Sequence, residues 1–558
     1  MEKIISSHLY NKKIPFRFED NVLNPSLEVE RKDFLELMTL IKKELPSFVL
    51  IDISARLQSK KTNPQSSQNP QHSQHPPPLI LIYHLLYLET YEFLRIKTEI
   101  SKDLSIFGIG HLWPNAEWYE KEIFDFYGIS ISMGHKRSQF ILPQNVKDLP
   151  FLENIHDFDP ESPIVQNDFE TKLPIEQRKD LSLEHFNSTQ TPENGYAENQ
   201  FRLDGTKIME AKIVLGFEHR GIETICEKKS PAQVLPLLEG VNPMQAPFFS
   251  QLWCALLEEV FKIKLTDRAQ AIRMIAIEMI RIQDHLKTFF IMIRLLKGYG
   301  YSSLLSTLFE NVYSLSNGLS TSSPNELFKF SCPGGVLVDI SSDWRNECAK
   351  TLSLLEKELS SWKKVMLSSV TIKERLLRDR VSGKKALEFG FSGPLLRACG
   401  INYDIRKARP YYLYHQLDFD VPLGLHGSAY DRFLIRLEEI VQSTGIIFQL
   451  LGNLPSGSIV HEDIGHLVER EHSSLAWARF FSEKSALAQD IFWSQEGPGG
   501  ETGHYLILGE KNRIERLKIH TPSFNHAQAY EKLIIGFDIE DFALIQGSLN
   551  FSIGEVER

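Results

Sequence analysis

No two cysteines in this chain stand at the C-x-x-C spacing of a metal site. The five present (Cys226, Cys254, Cys332, Cys348 and Cys399) are scattered along 558 residues. An odd, unframed set fits a reducing compartment rather than a disulfide scaffold. It also removes the usual thiolate route to zinc, iron–sulfur or nickel within the chain. Each thiol reads as a small buried hydrophobe. Long apolar runs are lacking as well: no stretch approaches the ~20 residues that cross a bilayer. Met1 to Phe16 has no apolar segment ahead of a small-residue cleavage site, so export is not expected. Positive charge is short: the net charge of −10 argues against a nucleic-acid protein, whose binding face is basic. No P-loop occurs, and Gly497-Pro498-Gly499-Gly500 lacks the strand-then-helix setting of a dinucleotide fingerprint. What is present is globular composition, 42% hydrophobic and 24% charged, in a chain too long for one core. Two or three domains are expected.

Residues 59–77 read SKKTNPQSSQNPQHSQHPP, a polar run unable to bury a core and read as a disordered insertion. Its flanks, Phe48 to Ile53 and Leu79 to Leu88, are apolar and β-rich, so the insertion interrupts a small α/β domain assigned to 1–150. Tyr91 to Ile100 alternates apolar with charged residues and predicts a half-exposed strand. Residues 151–195 show little periodicity and read as a linker to a second domain at 196–558. There Pro231 to Val260, Asp267 to Leu296 and Asp431 to Leu451 show helical spacing, and His504 to Leu508 is strand-like. The fold class is therefore α+β: a small α/β domain, then a mainly helical one with short strands at its margins.

Two segments carry more. His111 to Ile129 holds Trp113, Trp118, Tyr119, Glu120 and Glu122, followed by Asp125-Phe126-Tyr127-Gly128-Ile129. It reads as an amphipathic helix closed by Gly128, its rings offering area for docking; the alternative is a core helix with solvated acids. On the helix from Asp267, Glu278, Arg281 and His285 share one face and read first as a surface salt-bridge set, with a buried polar network as the alternative. Ile272, Ile275, Met279 and Ile282 form a core stripe beside them.

The first segment, continued by Gly134-His135-Lys136-Arg137, closely resembles the signature of the thirty-kilodalton peripheral-arm subunit of respiratory complex I, over roughly 35–145. That resemblance implies a bracing domain without a cofactor. From about 200 onward the chain resembles the neighbouring forty-nine-kilodalton subunit, a relative of [NiFe]-hydrogenase large subunits. The matching pieces come in order: Leu215-Gly216-Phe217-Glu218-His219-Arg220-Gly221-Ile222-Glu223, Asp267-Arg268-Ala269-Gln270, and Gly393-Pro394 with Leu396-Arg397-Ala398. Asp404-Ile405-Arg406-Lys407, Pro410-Tyr411, Tyr430-Asp431-Arg432 and Leu454-Pro455 follow. The end, Gly547-Ser548-Leu549-Asn550 to Gly554-Glu555-Val556-Glu557-Arg558, is similar to the family terminus. The fused order of modules resembles the large subunit of formate-hydrogenlyase-type hydrogenases.

The resemblance also exposes losses. Where hydrogenases hold nickel with two C-x-x-C pairs, this chain has Glu239 and Asn242, then Ser552 and Glu555. No metal is expected, and two acids with two neutral groups make a poor cage for Mg²⁺ or Ca²⁺. Complex I lost the same cysteines and binds a quinone head group in the vacated cavity. Its histidine in a glycine-rich loop at the mouth is not evident in Thr189 to Gly195, and its tyrosine position falls on Gly240. Basic residues expected near by are replaced by Leu237, Cys332 and His520.

The leading reading is a subunit of an NAD(P)H- or quinone-linked oxidoreductase complex, not an active [NiFe]-hydrogenase. The chain would bind no cofactor alone, pack on a small iron–sulfur subunit beside antiporter-like membrane subunits, and accept a quinone or another electron acceptor. Glu239, Glu555, His219, Arg220 and His520 are the candidate polar lining, with a carboxylate of raised pKa relaying protons. The chain is expected on the cytoplasmic side, attached through partners to the inner face of a bacterial or archaeal cell membrane. The other reading is a silent scaffold of an antiporter-like membrane complex.

Overall fold

The computed structural model describes residues 15–19, 24–57, 78–100, 105–132, 140–142, 181–187, 194–227, 229–321, 328–468, 474–486 and 490–558. The polar run at 59–77, the Gly134 to Arg137 piece and most of 151–195 lie outside them. The chain forms two compact units, residues 1–170 with 388–390, and 171–387 with 391–558.

The first unit is built on a sheet of β1 (Phe16–Glu19), β2 (Ser26–Val29), β3 (Phe48–Leu57), β4 (Leu79–Tyr87) and β5 (Glu92–Ile100). Their order is β1-β2-β5-β4-β3. Only β2 and β5 run parallel in that sheet, because helix α1 (Arg31–Glu44) carries the chain away between β2 and β3. Phe34, Leu37, Met38 and Ile41 give α1 its buried stripe. Strand β5 is not half-exposed as its alternation predicts. It lies between β2 and β4, Arg95 is fully buried, and the guanidinium donates to Asn24 O at 2.7 Å. Alternation there marks polar groups that found protein partners instead of water.

Helix α2 (Ala116–Tyr127) ends at Gly128, whose φ of 66° accepts the left-handed cap. Its rings are not a docking face: Trp113, Trp118 and Tyr119 are buried. Around α2, four side chains donate to carbonyls of β3, the last strand of the sheet order. The bonds are Trp113 Nε1 to Phe48 O (3.2 Å), Asn115 Nδ2 to Leu50 O (2.9 Å), Tyr119 OH to Ile51 O (3.0 Å) and Tyr127 OH to Ala55 O (2.8 Å). The aromatic residues thus cover a sheet edge that would otherwise present open acceptors.

In the second unit, helix α3 (Asp267–Leu295) is the axis. Thr266 caps it by accepting from Ala269 N at 3.2 Å. It is buried nearly all round and packs against helices Tyr299–Asn317, Phe542–Leu549 and α4 (Ala429–Gly452). Pro231 to Val260 does not form one helix. Pro231, Pro236, Pro243 and Pro247 divide it into short turns and helices Leu235–Glu239 and Ala246–Phe261. Within the span read as a linker, Ser182–Asn187 (β6) pairs antiparallel with β7 (Glu198–Asp204), which pairs with β8 (Lys207–Val214). A second three-stranded sheet joins β9 (Asp490–Glu496), β10 (Glu501–Leu508) and β11 (Ile514–His520). The glycine cluster turns β9 into β10. There Gly393 (φ 59°) meets Gly500 so closely that a Cβ on Gly393 would stand 2.4 Å from Gly500 Cα, which fixes both positions as glycine.

The acids of α2 are not solvated. Glu120 accepts from Ile109 N at 2.6 Å, and one oxygen of Asp125 accepts from the amides of Phe140, Ile141 and Leu142 at 2.7–3.1 Å. Burial nevertheless outweighs those bonds, pushing Glu120 up to about 7 and Asp125 up to about 6. The folded unit then holds protons that the unfolded chain has released, so its stability is full below the ordinary carboxyl range and falls as pH rises through about 7. Thermal melts of the full chain from pH 5 to pH 8, followed at the transition of the first unit, should show a loss of about 4 kcal/mol. Glu120→Gln keeps an acceptor for Ile109 and should remove more than half of that loss; an undiminished loss would show that Glu120 does not titrate in the window.

Candidate functional site

The polar row of α3 faces inward. Glu278, Arg281 and His285 are fully buried, so the surface salt-bridge reading is corrected: α3 is enclosed, and every face of it meets protein. Glu278 accepts from Arg406 Nη1 at 3.1 Å, Arg281 Nε at 3.2 Å, Tyr414 OH at 2.5 Å and Ser443 Oγ at 2.6 Å. Burial pushes its carboxyl up, but Arg406 and Arg281 hold it below the ordinary range. Arg406 also binds Asp404 at 2.7 Å. Arg397 joins Glu439 (2.9 Å), Glu496 (2.8 Å) and Asp404 (3.3 Å), and His285 Nε2 lies 2.9 Å from Glu439. Arg281 donates onward to the carbonyls of Glu496 and Gly497 at 2.8 and 2.9 Å. Arg409 closes the edge on Glu501 at 2.9 Å. Several motif residues are thereby accounted for as one buried charge network.

A second pair stands beside it. Arg273 takes both oxygens of Glu258 at 2.7 and 2.9 Å and donates to Cys332 O at 2.8 Å. Cys332, where an arginine is expected, contributes a carbonyl, and burial pushes its thiol up to about 12. All five cysteines are buried, as expected of inert core thiols.

The segments that replace the nickel ligands come together in part. Pro243 keeps Asn242 extended (φ −142°) at the start of the Pro243–Gln245 turn. Asn550 takes the left-handed cap of Phe542–Leu549 at φ 51°, turning the chain into 551–556. As a result Asn242 Nδ2 donates to Glu555 Oε1 at 2.7 Å. Ser523, on helix α5 (Pro522–Leu533), donates to Glu555 Oε2 at 2.5 Å, and its hydroxyl accepts from Ser552 N at 3.1 Å. Burial pushes the Glu555 carboxyl up against the lowering effect of Ser523 and Asn242. Asn242, Ser552 and Glu555 therefore form one cluster. Glu239 is not part of it: the carboxyl is raised by burial while Lys329 and Ser250 pull it down.

The other candidates surround this cluster. His219 Nδ1 lies 2.8 Å from Glu557 O, and exposed Arg220 donates to Gly240 O at 2.6 Å. A Cβ on Gly240 would stand 3.5 Å from that guanidinium and 3.2 Å from Leu237 O. Glu557 accepts from Gly216 N at 2.8 Å and Glu218 N at 2.6 Å, and burial raises it to about 7. His520 is buried at the end of β11 with Phe492 against its ring, and Thr521 next to it donates to Glu555 O at 3.0 Å. Glu223, last of the His-Arg-Gly-Ile-Glu run, is locked: burial pushes it up, yet Lys518, Arg516 and Arg558 hold it low. Residues 188–193, at the expected mouth, lie outside the described residues.

Several site residues escape the sequence reading: Ser523, Glu557, Asp284 and Lys287. Asp284 and Lys287 carry an i, i+3 ion pair of 3.3 Å within α3, and that spacing is the available signal. An amide, hydroxyls and one nearby carboxylate do not suit nickel, which is held through soft thiolates in this kind of site. Among the described residues, no group of three or more His, Cys, Asp or Glu side chains is arranged to hold a metal ion.

Residues 325–558 match the family described as the respiratory-chain NADH dehydrogenase 49 Kd subunit, and residues 27–159 the 30 Kd subunit. The NADH-quinone oxidoreductase C/D subunit of Photorhabdus laumondii is 26% identical over 572 residues, covering 96% of this chain and 92% of the relative. That of Acinetobacter baylyi is 27% identical over 571 residues, covering 96% and 93%. That of Bdellovibrio bacteriovorus is 27% identical over 507 residues, covering 86% and 88%.

The charge network makes a stability prediction. Arg397→Met leaves buried Glu439 with His285 and buried Glu496 with the Ile405 amide, and should cost about 3–5 kcal/mol in denaturant unfolding. Arg409→Met should cost clearly less, because Glu501 keeps Tyr403 and Ser494 as donors. Equal losses would mean that the network does not act through the buried charges.

Proposed function

We propose that this chain, which belongs to the family in which the thirty- and forty-nine-kilodalton subunits of NADH-quinone oxidoreductase are fused, works as a peripheral-arm subunit of an ion-translocating membrane oxidoreductase. It packs on a small iron–sulfur subunit, sits against antiporter-like membrane subunits, and lines a site for a quinone or another electron acceptor. No helix among the described residues is long and apolar enough to cross a membrane, in keeping with attachment through partners at the inner face of the cell membrane.

The observation that carries the proposal is the Asn242–Glu555–Ser523 cluster. Its carboxyl, raised by burial, joins the segments of Asn242 and Ser552. The resemblance aligns those segments with the nickel-binding cysteines of hydrogenases, and the loop of His219 and exposed Arg220 is read as a neighbour in the site. Full reduction of a quinone consumes two electrons and two protons. A carboxyl whose pKa burial has raised is suited to supplying one of those protons. Exposed Phe217 packs edge-on against Tyr196 at 4.9 Å on the same loop, leaving apolar surface for the partner or the acceptor. Half-buried Glu239, next in sequence to Gly240, and buried His520, next to Thr521, are retained as further members of the proposed polar lining outside that cluster.

The scaffold reading keeps one specific support. Gly240 stands where the family's quinone-contacting tyrosine is expected. Affinity purification from detergent-solubilised membranes, with mass spectrometry and iron–sulfur EPR of one sample, separates the two. Membrane partners with a reducible cluster support electron transfer; membrane partners without any cluster support the scaffold. In the complex, Glu555→Gln should lower turnover by on the order of 10²-fold with assembly intact, and Glu239→Gln should also impair it. Unchanged turnover in both variants would remove the proton-relay role.

A further inference from the structure

Asp284 binds chain neighbours of both halves of the cluster described above without touching the cluster itself. Its Oδ1 accepts from Gln245 Nε2 at 3.2 Å, three residues beyond Asn242. Its Oδ2 accepts from Asn550 Nδ2 at 2.7 Å, two residues before Ser552. One buried carboxylate on α3 therefore grips both segments whose side chains meet at Glu555. Lys287, one turn further along, binds Asp284 Oδ1 at 3.3 Å and also donates to Asn194 Oδ1 at 3.0 Å. Asn194 is itself buried, at the end of the segment that leads into β7.

We propose that Asp284 and Lys287 are positioning residues: Asp284 clamps the two segments of the Glu555 site, and the opposed charges of the pair bias the proton on Glu555 in opposite directions. This rests on the proton-relay reading of Glu555, and it adds the residues that control it. Asp284 is in the right state to act. Burial alone would push it up, but Lys287, His285 and Arg436 hold it ionised well below the ordinary range. A fixed negative charge in a region of low dielectric favours the neutral form of a neighbouring carboxyl, and a fixed positive charge the ionised form. Both effects reach Glu555: burial raises it most, the bonds from Ser523 and Asn242 lower it, and beyond these Asp284 raises it and Lys287 lowers it.

Other charged or titratable groups come from each neighbouring element. Glu218 Oε2 would lie 3.6 Å from a Cβ on Gly554. His526 sits three residues beyond Ser523 on α5, burial lowering it to about 3 and so keeping it neutral. From α4, Arg436 acts on Asp284. Glu557, two residues on, is occupied with the Gly216 and Glu218 amides. Asp284 and Lys287 are distinguished by opposite sign, by their grip on each other, and by direct bonds to the neighbouring segments.

The test is an infrared pH titration of the purified full-length chain, following the protonated-carboxyl band that Glu555→Gln removes. Asp284→Asn should lower the midpoint of that band by about one pH unit or more, because it deletes the acid and leaves Lys287 unopposed. Lys287→Met should raise it by a similar amount, and Lys287→Arg should restore it. Shifts of one sign in both variants, no shift, or no band lost in Glu555→Gln would overturn the proposal. A purely structural role would lower the thermal midpoint of both variants and give no opposed shifts; if Asp284→Asn fails to fold, the Lys287→Met and Lys287→Arg pair still decides. Because the titration needs no turnover, opposed shifts with a Glu555→Gln complex of normal activity would leave the clamp standing and reject the relay.

Discussion

Glu278 is fully enclosed in protein and still ionised, and the second unit is arranged around that fact. A carboxylate removed from water is tolerated only when cations and hydroxyls replace its hydration. Arg406, Arg281, Tyr414 and Ser443 do so here. Arg406 then takes Asp404, which shares Arg397 with Glu439 and Glu496, while Arg281 donates to the carbonyls of Glu496 and Gly497. The network therefore ties α3 to α4, to helices Gly393–Ala398 and Ile405–Ala408, and to the end of β9. Removing a central member such as Arg397 leaves several carboxylates short of counter-charge, so the interior is specified by pairing as well as by apolar packing.

That enclosure positions the cluster around Glu555. Because α3 is held on every side, Asp284 and Lys287 project from a rigid helix toward segments that are short turns and caps. Asn242 and Asn550 owe their conformations to Pro243 and to a left-handed helix cap. Such local features direct a side chain but supply little rigidity themselves. The clamp from α3 turns two local geometries into one site, a role that supporting residues commonly play around functional groups.

Much of this is legible from residues alone. Gly128 announces the end of α2, and Thr266-Asp267 opens α3 where the apolar spacing begins. The ordered motifs locate both modules, and the loss of thiolates at Glu239, Asn242, Ser552 and Glu555 is visible as spacing. What escapes is burial of charge. Glu278, Arg281 and His285 share a face in any helix, but only the tertiary fold decides whether that face meets water. The same blindness touches Arg95 in β5 and Glu120 and Asp125 in α2, where polar side chains satisfy backbone groups inside the fold. Pro231 to Val260 keeps helical spacing while its prolines break the helix, and Ser182–Asn187 gains its strand from pairing with β7 rather than from its own pattern. Glu239 and Asn242 are equal candidates by spacing. The turn at Pro243 sends only Asn242 to Glu555.

The buried charge network and the Glu555 site should therefore behave as one cooperative body, and native-state hydrogen exchange of the full chain across a denaturant series tests this most directly. Amides of α3, α4, β9 and the segments at 240–245 and 551–556 should exchange through a single opening of common free energy and denaturant slope. Site segments that open at distinctly lower free energy while α3 and α4 stay protected would contradict it.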